Sequence, residues 1–504
     1  MGARITGRIY DMMTALSVTA MMILLESPAY LLDSGFLLSF GCVLGIGVAA
    51  EKICALAGAE KKWTKALVSS IALQLVTLPV MLKFFGEVSL AGFFLNLLVL
   101  PSVGFVLTGG MAALLLGIFC IPAAKLAILP ARGLLLFYEY LCSLAGKLRW
   151  STWIGGEPEI WQILVYYVFL ITILFMGQYI KEPMRREQEA GMKSELSSRD
   201  KRIPGKIQRK LRTVRAAAGA LMITGILILG FHPAGDLKVT CLDVGQGDAV
   251  LILQNGAACL IDAGPKDARQ NLVQDLRSYG VSQLDLLVMT HPHADHVGGM
   301  QAVLQNFDVQ TLLTPDLSET DVTGQTQRTL QTAQECGVPV ETAYTGQQYT
   351  IGTGTLTVLL PGVDADTAGS DDATNDMSLC LRFEAGNFTF LDTGDAERNE
   401  EAALAEQYPF RLRSTVFKAG HHGSSTSNTQ TLLWQVQPQL VVASCGLNND
   451  YGHPHREVIQ EMQDEGIDFY RTDLYGTVTV TAQADGSFTV QTAKQPDEEL
   501  APAA

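Results

Sequence analysis

Seven of the eight histidines crowd into three short stretches of the chain's second half. The run His291-Pro292-His293-Ala294-Asp295-His296 sets three imidazoles and a carboxylate within six residues, after an apolar stretch and before Gly298-Gly299. Donors of that kind at that density suit a divalent cation, Zn²⁺ first, with Mn²⁺ or Fe also compatible. Alternate residues turned to one ion would leave the Asp-His pair facing a second. A lone histidine is most often structural; four metal-type donors in one loop are hard to explain that way. Farther on, Phe390-Leu391-Asp392-Thr393-Gly394-Asp395 reads as a strand ending in a carboxylate beside glycine. Asp395 is the natural bridge between two ions, because one carboxylate can offer an oxygen to each. Lys418-Ala419-Gly420-His421-His422-Gly423-Ser424-Ser425 and Tyr451-Gly452-His453-Pro454-His455 follow. Alone each would be ambiguous; in this order after the first motif they read as site loops.

Loops of this kind need strands to hold them. From residue 237 short β-rich runs alternate with helical stretches. Strands are predicted over 237–244, 249–254, 259–263, 284–290, 355–360, 378–383, 388–393, 415–418, 440–444 and 476–481. Helices are predicted over 266–279, 297–306, 326–337, 397–407, 427–436 and 455–465. Asn255-Gly256 and Ala385-Gly386-Asn387 read as hairpin turns. Two blocks of strands with helices between them imply sheets sandwiched between outer helices. Residues 495–504 read as a disordered acidic tail.

The first half is of another kind. Residues 1–232 carry 23 Lys and Arg against 14 Asp and Glu, and residues 233–504 carry 13 against 37. A basic apolar half joined to an acidic one suggests a membrane unit attached to a water-exposed domain. Apolar runs over 13–32, 35–50, 65–85, 89–118, 161–180 and 216–231 reach or approach the length of a bilayer crossing. Residues 121–148 read as amphipathic or as a further span. The competing reading, core helices of a large soluble protein, does not suit so many long uncharged runs. The stretch 181–215 holds 12 Lys and Arg, among them Arg185, Arg186, Lys201, Arg202, Arg209, Lys210 and Arg212. Such an excess marks the cytoplasmic side. A span over 216–232 would then carry everything after His232 to the outer face. The organisation expected is a helical membrane domain over 1–180, a basic cytoplasmic loop over 181–215, a transmembrane helix over 216–232 and a soluble domain over 233–494. The nine cysteines form no Cys-x-x-Cys pair, so thiol chemistry is not expected to carry function.

The His-x-His-x-Asp-His motif after a strand resembles the hallmark of the metallo-β-lactamase superfamily. Within it, Leu242-Asp243-Val244-Gly245-Gln246-Gly247-Asp248, Leu260-Ile261-Asp262-Ala263-Gly264, residues 420–424 and residues 451–455 resemble the ComEC family of competence proteins. Arg8-Ile9-Tyr10-Asp11 and Gly35-Phe36-Leu37-Leu38-Ser39-Phe40 resemble its membrane part, with Leu37 where that family usually has Gln. The resemblance implies an all-α polytopic membrane domain followed by an α/β domain, an αββα sandwich of metallo-β-lactamase fold. It implies two divalent ions, Zn or Mn. His291, His293 and bridging Asp395 would hold the first; Asp295, His296, His453 and Asp395 would hold the second. The superfamily's further histidine at the first ion is missing, since none occurs between His296 and His421. Asn375 or Asp376 falls near its place, so the first ion is expected to be weakly held.

Paired ions lower the pKa of a water between them and offset charge on a phosphodiester. Asp295, His421 and His422 are the expected catalytic residues, either histidine serving to protonate a leaving oxygen or to bind phosphate. Lys418, Ser424 and Ser425 are candidate helpers, as are Asp243 and Asp248 of the glycine loop. Asp262 is expected to orient a ligand. The family's role implies DNA as partner, a single strand passing through the membrane part while the domain cleaves the other. It also implies a bacterial inner-membrane location and other competence proteins as partners. Two alternatives stand beside it: a membrane-anchored hydrolase of another phosphodiester or ester, and a catalytically silent regulatory domain. Against the family pattern the chain is expected to lack an outer OB-like domain and the earliest membrane helices. β-Lactam hydrolysis is not implied, because a fold does not transmit substrate.

Overall fold

The computed structural model describes residues 11–146, 148, 151–193, 205–233, 237–317, 324–360, 374–483 and 485–496. Arg8-Ile9-Tyr10, residues 194–204 of the basic stretch and residues 497–504 of the tail lie outside them. The chain forms two compact units: Met1–Phe231 with Arg277–Gly280, and His232–Leu276 with Val281–Ala504.

Among the described residues of the first unit, six helices are long and apolar enough to cross a bilayer: Ser34–Ala57, Lys62–Phe85, Pro101–Phe119, Ile121–Gly146, Ile160–Ile180 and Arg209–Leu229. The span predicted over 13–32 is instead a 15-residue helix, Met12–Glu26, and a separate 3-10 turn, Pro28–Leu32. Pro28 causes the break by forcing Ser27 into extended backbone (φ −148°, ψ 107°). Residues 121–146 form a single helix through Pro130. The predicted basic loop is also largely helical, up to Lys193 in helix Ile160–Lys193 and again from Gly205 in helix Gly205–Leu229. Lys, Arg, Glu and Gln all favour helix, so a charged composition does not by itself stop one. The last span gains a turn for the same reason, reaching 21 residues where 16 apolar ones were read.

Buried polar side chains in this unit mostly serve the backbone. Pro79 sits inside helix Lys62–Phe85 and has no N–H for the Leu75 carbonyl four residues before it. The Tyr166 hydroxyl donates to that carbonyl at 2.7 Å, and the Tyr167 hydroxyl to the Val76 carbonyl at 3.0 Å. Gln162, fully buried, donates to the Ile228 and Phe231 carbonyls at 2.6 and 2.7 Å, closing the end of helix Gly205–Leu229.

The second unit contains two large sheets. One runs in the order Val340–Thr342, Leu312–Thr314, Leu286–Val288, Ala257–Ile261, Val250–Gln254, Leu237–Cys241, Val478–Ala482, Phe488–Thr492. The other runs Gln348–Ile351, Gly354–Leu360, Cys380–Ala385, Phe388–Asp392, Val416–Lys418, Leu440–Ala443, Asp468–Arg471. Alternation along each strand sorts side chains into layers. Val239, Ile252, Ile261, Val288, Phe383, Phe390, Val416 and Val442 fill the space between the sheets. Leu391, Phe417 and Val441 face outward and pack against Leu404, Leu432 and Met462 of helices Arg398–Gln407, Gln430–Val436 and Arg456–Asp464.

This arrangement is the αββα sandwich of the metallo-β-lactamase fold. Strand Ala257–Ile261 runs parallel to Leu286–Val288, and Phe388–Asp392 runs parallel to Val416–Lys418 and Leu440–Ala443. The histidine motifs leave the C-terminal ends of these parallel strands, where α/β sheets place ligands.

A candidate metal centre

The site is built from its loops inward. Asp262 follows strand Ala257–Ile261 in left-handed backbone (φ 58°). Its carboxylate accepts from the Thr290 amide at 2.9 Å, the Thr290 hydroxyl at 2.6 Å and His296 Nδ1 at 2.7 Å. Gly247 adopts φ 145°, and a Cβ there would come 2.3 Å from the Asp295 carbonyl, to which the Asp248 amide donates. Only glycine lets the 243–248 loop close against the first motif.

These contacts fix the imidazoles. The Thr290 hydroxyl spends its proton on Asp262, so at 3.1 Å it accepts from His291 Nδ1 and leaves the His291 Nε2 lone pair free to face the site. His296 gives its Nδ1 proton to Asp262. His422 gives its own to the Ser444 carbonyl at 2.9 Å. The Nε2 atoms of His291, His296, His421 and His422 then lie 3.7, 3.3, 3.7 and 3.6 Å from one oxygen, Asp395 Oδ2. His293 Nδ1 lies 3.0 Å from His291 Nε2, and Asp295 Oδ2 lies 3.2 Å from His422 Nε2.

Two sets of donor atoms lie within 4.8 Å of one another: His291, His293 and Asp395; and Asp248, His296, Asp395 and His422. Asp395 belongs to both. His296 Nε2 and Asp395 Oδ1 are buried without a hydrogen-bond partner. An orphaned buried polar atom costs about 1–3 kcal/mol, and two at one point fit a divalent cation that would satisfy them. The electrostatics agree. Burial alone would push the His296 imidazole down, yet the Asp395 and Asp262 carboxylates hold it well above the usual histidine range. Against the same burial, Asp395 and Asp248 raise His422 to about 10. These protons stand where cationic charge is required, and an incoming divalent ion would displace them. Burial, with the His296 charge beside it, holds His291 well below its ordinary value, ready to ligate.

Other predicted site residues are placed differently. His453 is buried, with Nδ1 unpartnered, its ring 5.4 Å from that of His421 and 6.1 Å from that of His422, outside both donor sets. Asp295 touches His422 but also lies outside both sets, whereas Asp248 lies within one. Asn375 donates to Glu397 Oε1 at 3.3 Å, and its own buried Oδ1 has no partner. Asp376 lies beside Glu400. Ser424 bonds Thr426 through its hydroxyl, the Ser425 amide donates to His455 Nδ1, and Asp243 pairs with Lys494. None of these last three reaches a donor set. Lys418 is wholly buried in an ion pair with Asp248.

Sequence reading missed the brace behind His421 and His422, both of which lie in left-handed backbone (φ 50° and 57°). Buried Glu401 accepts the Asn428 and Thr429 amides at 2.6 and 2.7 Å. Asn428 in turn holds Gly420 at both its amide and its carbonyl, 2.9 Å each. Glu397 caps helix Arg398–Gln407, shares a capping box with Glu400, and lies 3.6 Å from His421 Nδ1. The capping-box spacing after Asp395 was the available signal.

The profile of the competence protein family matches residues 1–179, and that of the metallo-β-lactamase superfamily matches residues 242–446. ComE operon protein 3 of Bacillus subtilis is 27% identical over 498 residues, covering 92% of this chain and 57% of that protein. The chain is similar to the ComEC family of competence proteins. Competence protein ComA of Neisseria gonorrhoeae is 34% identical over 249 residues, 49% of this chain and 32% of that protein. The chain spans between 32% and 57% of the length of the curated relatives it matches. Among solved structures, a metal-dependent hydrolase of the β-lactamase superfamily aligns with 14% identity and a TM-score of 0.33, over 51% of this chain and 99% of that one.

Proposed function

We propose that the second unit is a divalent-metal phosphodiesterase acting on DNA, displayed on the outer face of the inner membrane by a multi-pass first unit that serves DNA uptake. The observation that carries the chemistry is the convergence of four Nε2 atoms on Asp395 Oδ2, with orphaned buried donors around it. His291, His293 and Asp395 would hold one ion; His296, His422 and Asp395, with Asp295 at their edge, a second. Such ions supply Lewis acidity toward a phosphodiester and toward water. The chain's own groups do the rest. Asp262 and the Ser444 carbonyl keep the imidazoles in the ligating tautomer. Partly buried His421 is held below its ordinary pKa by burial, so it stays neutral at pH 7 and offers an N–H to a phosphate oxygen. His453 is lowered to about 4 by burial and the neighbouring imidazoles, and is neutral as well. Exposed Tyr451 stacks on it at 5.6 Å, giving the rim an aromatic face for a base.

The Lys and Arg excess over 181–215 supports a cytoplasmic position for that stretch, and span Arg209–Leu229 would then lead outward. One observation favours a second reading, hydrolysis of a small phosphodiester. The strongly acidic composition of residues 233–504 disfavours extended phosphate contacts along DNA. The test is hydrolysis by the full chain in detergent with Mn²⁺ or Zn²⁺, on single- and double-stranded DNA and on a small phosphodiester, beside His293→Ala. Metal-dependent DNA cleavage lost in the variant is expected. Cleavage of the small ester alone would favour the second reading, and cleavage of neither by metal-loaded protein would end the hydrolase proposal.

A further inference from the structure

Alternation along strand Val416–Lys418 puts Val416 in the core between the sheets and Phe417 against the outer helices, so Lys418 returns to the space between the sheets. It is wholly buried there. An ammonium cannot stay in such a place without a counter-charge, and Asp248 supplies one as an ion pair, with Asp392 Oδ1 4.0 Å away. Asp248 lies on a particular side of the site. Its Oδ1 is 3.6 Å from His422 Nδ1 and its Oδ2 is 3.9 Å from His296 Nδ1. Those are the proton-bearing nitrogens, given to the Ser444 carbonyl and to Asp262, while the lone-pair nitrogens face Asp395. Asp248 therefore sits behind the two imidazoles of the second donor set, close enough to count among its donors yet turned toward Lys418.

We infer that Lys418 and Asp248 are positioning residues, a buried ion pair that stands behind His296 and His422, keeps their Nε2 atoms aimed at the second ion and holds Asp248 off that ion. This rests on the metal-hydrolase reading. Without Lys418, Asp248 would be a buried, uncompensated carboxylate drawn to the imidazoles or into the ion's place. Without Asp248, an ammonium left with only the more distant Asp392 would stand beside an arriving cation. Removing both charges leaves neither fault.

The test is Mn²⁺ binding to the full chain in detergent, by equilibrium dialysis and metal analysis, for wild type, Lys418→Met, Asp248→Asn and the double variant. The wild type is expected to bind two ions. Each single variant should keep the first and bind the second about 10–100-fold more weakly, the range typical of outer partners of metal ligands. The double variant should bind the second ion at least about tenfold more tightly than either single. A purely structural pair would lower thermal stability without this recovery. Single variants that bind two ions like wild type, or losses that simply multiply in the double variant, overturn the inference. Should Lys418→Met fail to fold, the double variant against Asp248→Asn decides: tighter binding supports the pair, equal or weaker binding overturns it. A wild type that binds no ion refutes the reading beneath instead.

Discussion

The two units treat buried polar atoms in opposite ways. In the helices of residues 11–231, Gln162, Tyr166 and Tyr167 are spent on backbone carbonyls, and the buried side-chain atoms left without a partner are Ser70 Oγ and Gln74 Oε1. In the second unit such atoms also occur elsewhere, on Arg382 and Gln435 among others, but His296, Asp395 and His453 bring several of them together at one place. A buried donor bonded to a carbonyl is part of the scaffold. A knot of unbonded ones, fixed from behind by Asp262, Thr290 and Ser444, is free energy withheld from folding and available to a ligand.

The largest effect should come from the atom on which the knot centres. Asp395→Asn should abolish metal-dependent hydrolysis, a greater loss than the roughly 10–100-fold that outer partners control. It should also uncouple stability from metal. Ligand at about 100 times its Kd stabilises a folded protein by roughly 2.7 kcal/mol, so Mn²⁺ should raise the melting temperature of the wild type and not of the variant. A metal-induced rise that survives in Asp395→Asn would mean that these orphaned atoms are not ligands, and the contrast between the units would lose its meaning.

A smaller effect concerns a pair that belongs to neither class. Glu400 is buried, accepts the Glu397 amide at 3.3 Å, and is raised to about 7, first by burial and then by the charge of Asp376. Its carboxyl keeps a proton in the folded state that the unfolded chain releases from about pH 4.5 upward. The unfolded state thus binds fewer protons across that window, so stability falls as pH rises from about 4.5 to 7 and levels off above it. Glu400→Gln should flatten that slope, sparing roughly 1–2 kcal/mol between pH 5 and 7.5 once solvent screening at the helix end is allowed for. Unfolding midpoints at the two pH values check it; an unchanged slope would mean that Glu400 does not hold its proton above its ordinary range in the folded state.

Much of this was legible because local chemistry and global fold agree. Leu286–Val288, Phe388–Asp392 and Val416–Lys418 are apolar runs that end in donors, and the three motifs at their ends do converge. The short strands Leu312–Thr314, Val340–Thr342, Gln348–Ile351, Asp468–Arg471 and Phe488–Thr492 were not read, being brief or mostly polar and made strands by their neighbours in the sheet. Tertiary geometry was equally silent in the spacing of Asp248. Forty-eight residues separate it from His296, and only the Gly247 approach to the Asp295 carbonyl brings the two together. Pro28 marks a break in the sequence, but the apolar composition over 13–32 runs through it and hides the stop that the proline imposes.

The smallest effect tests the other side of the comparison. Tyr166 compensates for Pro79 by donating to the carbonyl that the proline leaves without an N–H. Tyr166→Phe should cost about 1 kcal/mol, near the net worth of one hydrogen bond and at the upper part of what such bonds contribute between membrane helices. The sharper measurement repeats the substitution on a Pro79→Ala background. Alanine restores an N–H to the helix ladder, the Leu75 carbonyl finds its usual partner, and the tyrosine's hydroxyl becomes dispensable. Denaturant unfolding of the four variants in detergent should therefore give a coupling near the full cost of Tyr166→Phe. If the cost is the same with proline and with alanine at 79, Tyr166 stabilises the unit by packing alone, and its bond to the carbonyl is a consequence of that packing rather than the reason a proline is tolerated there.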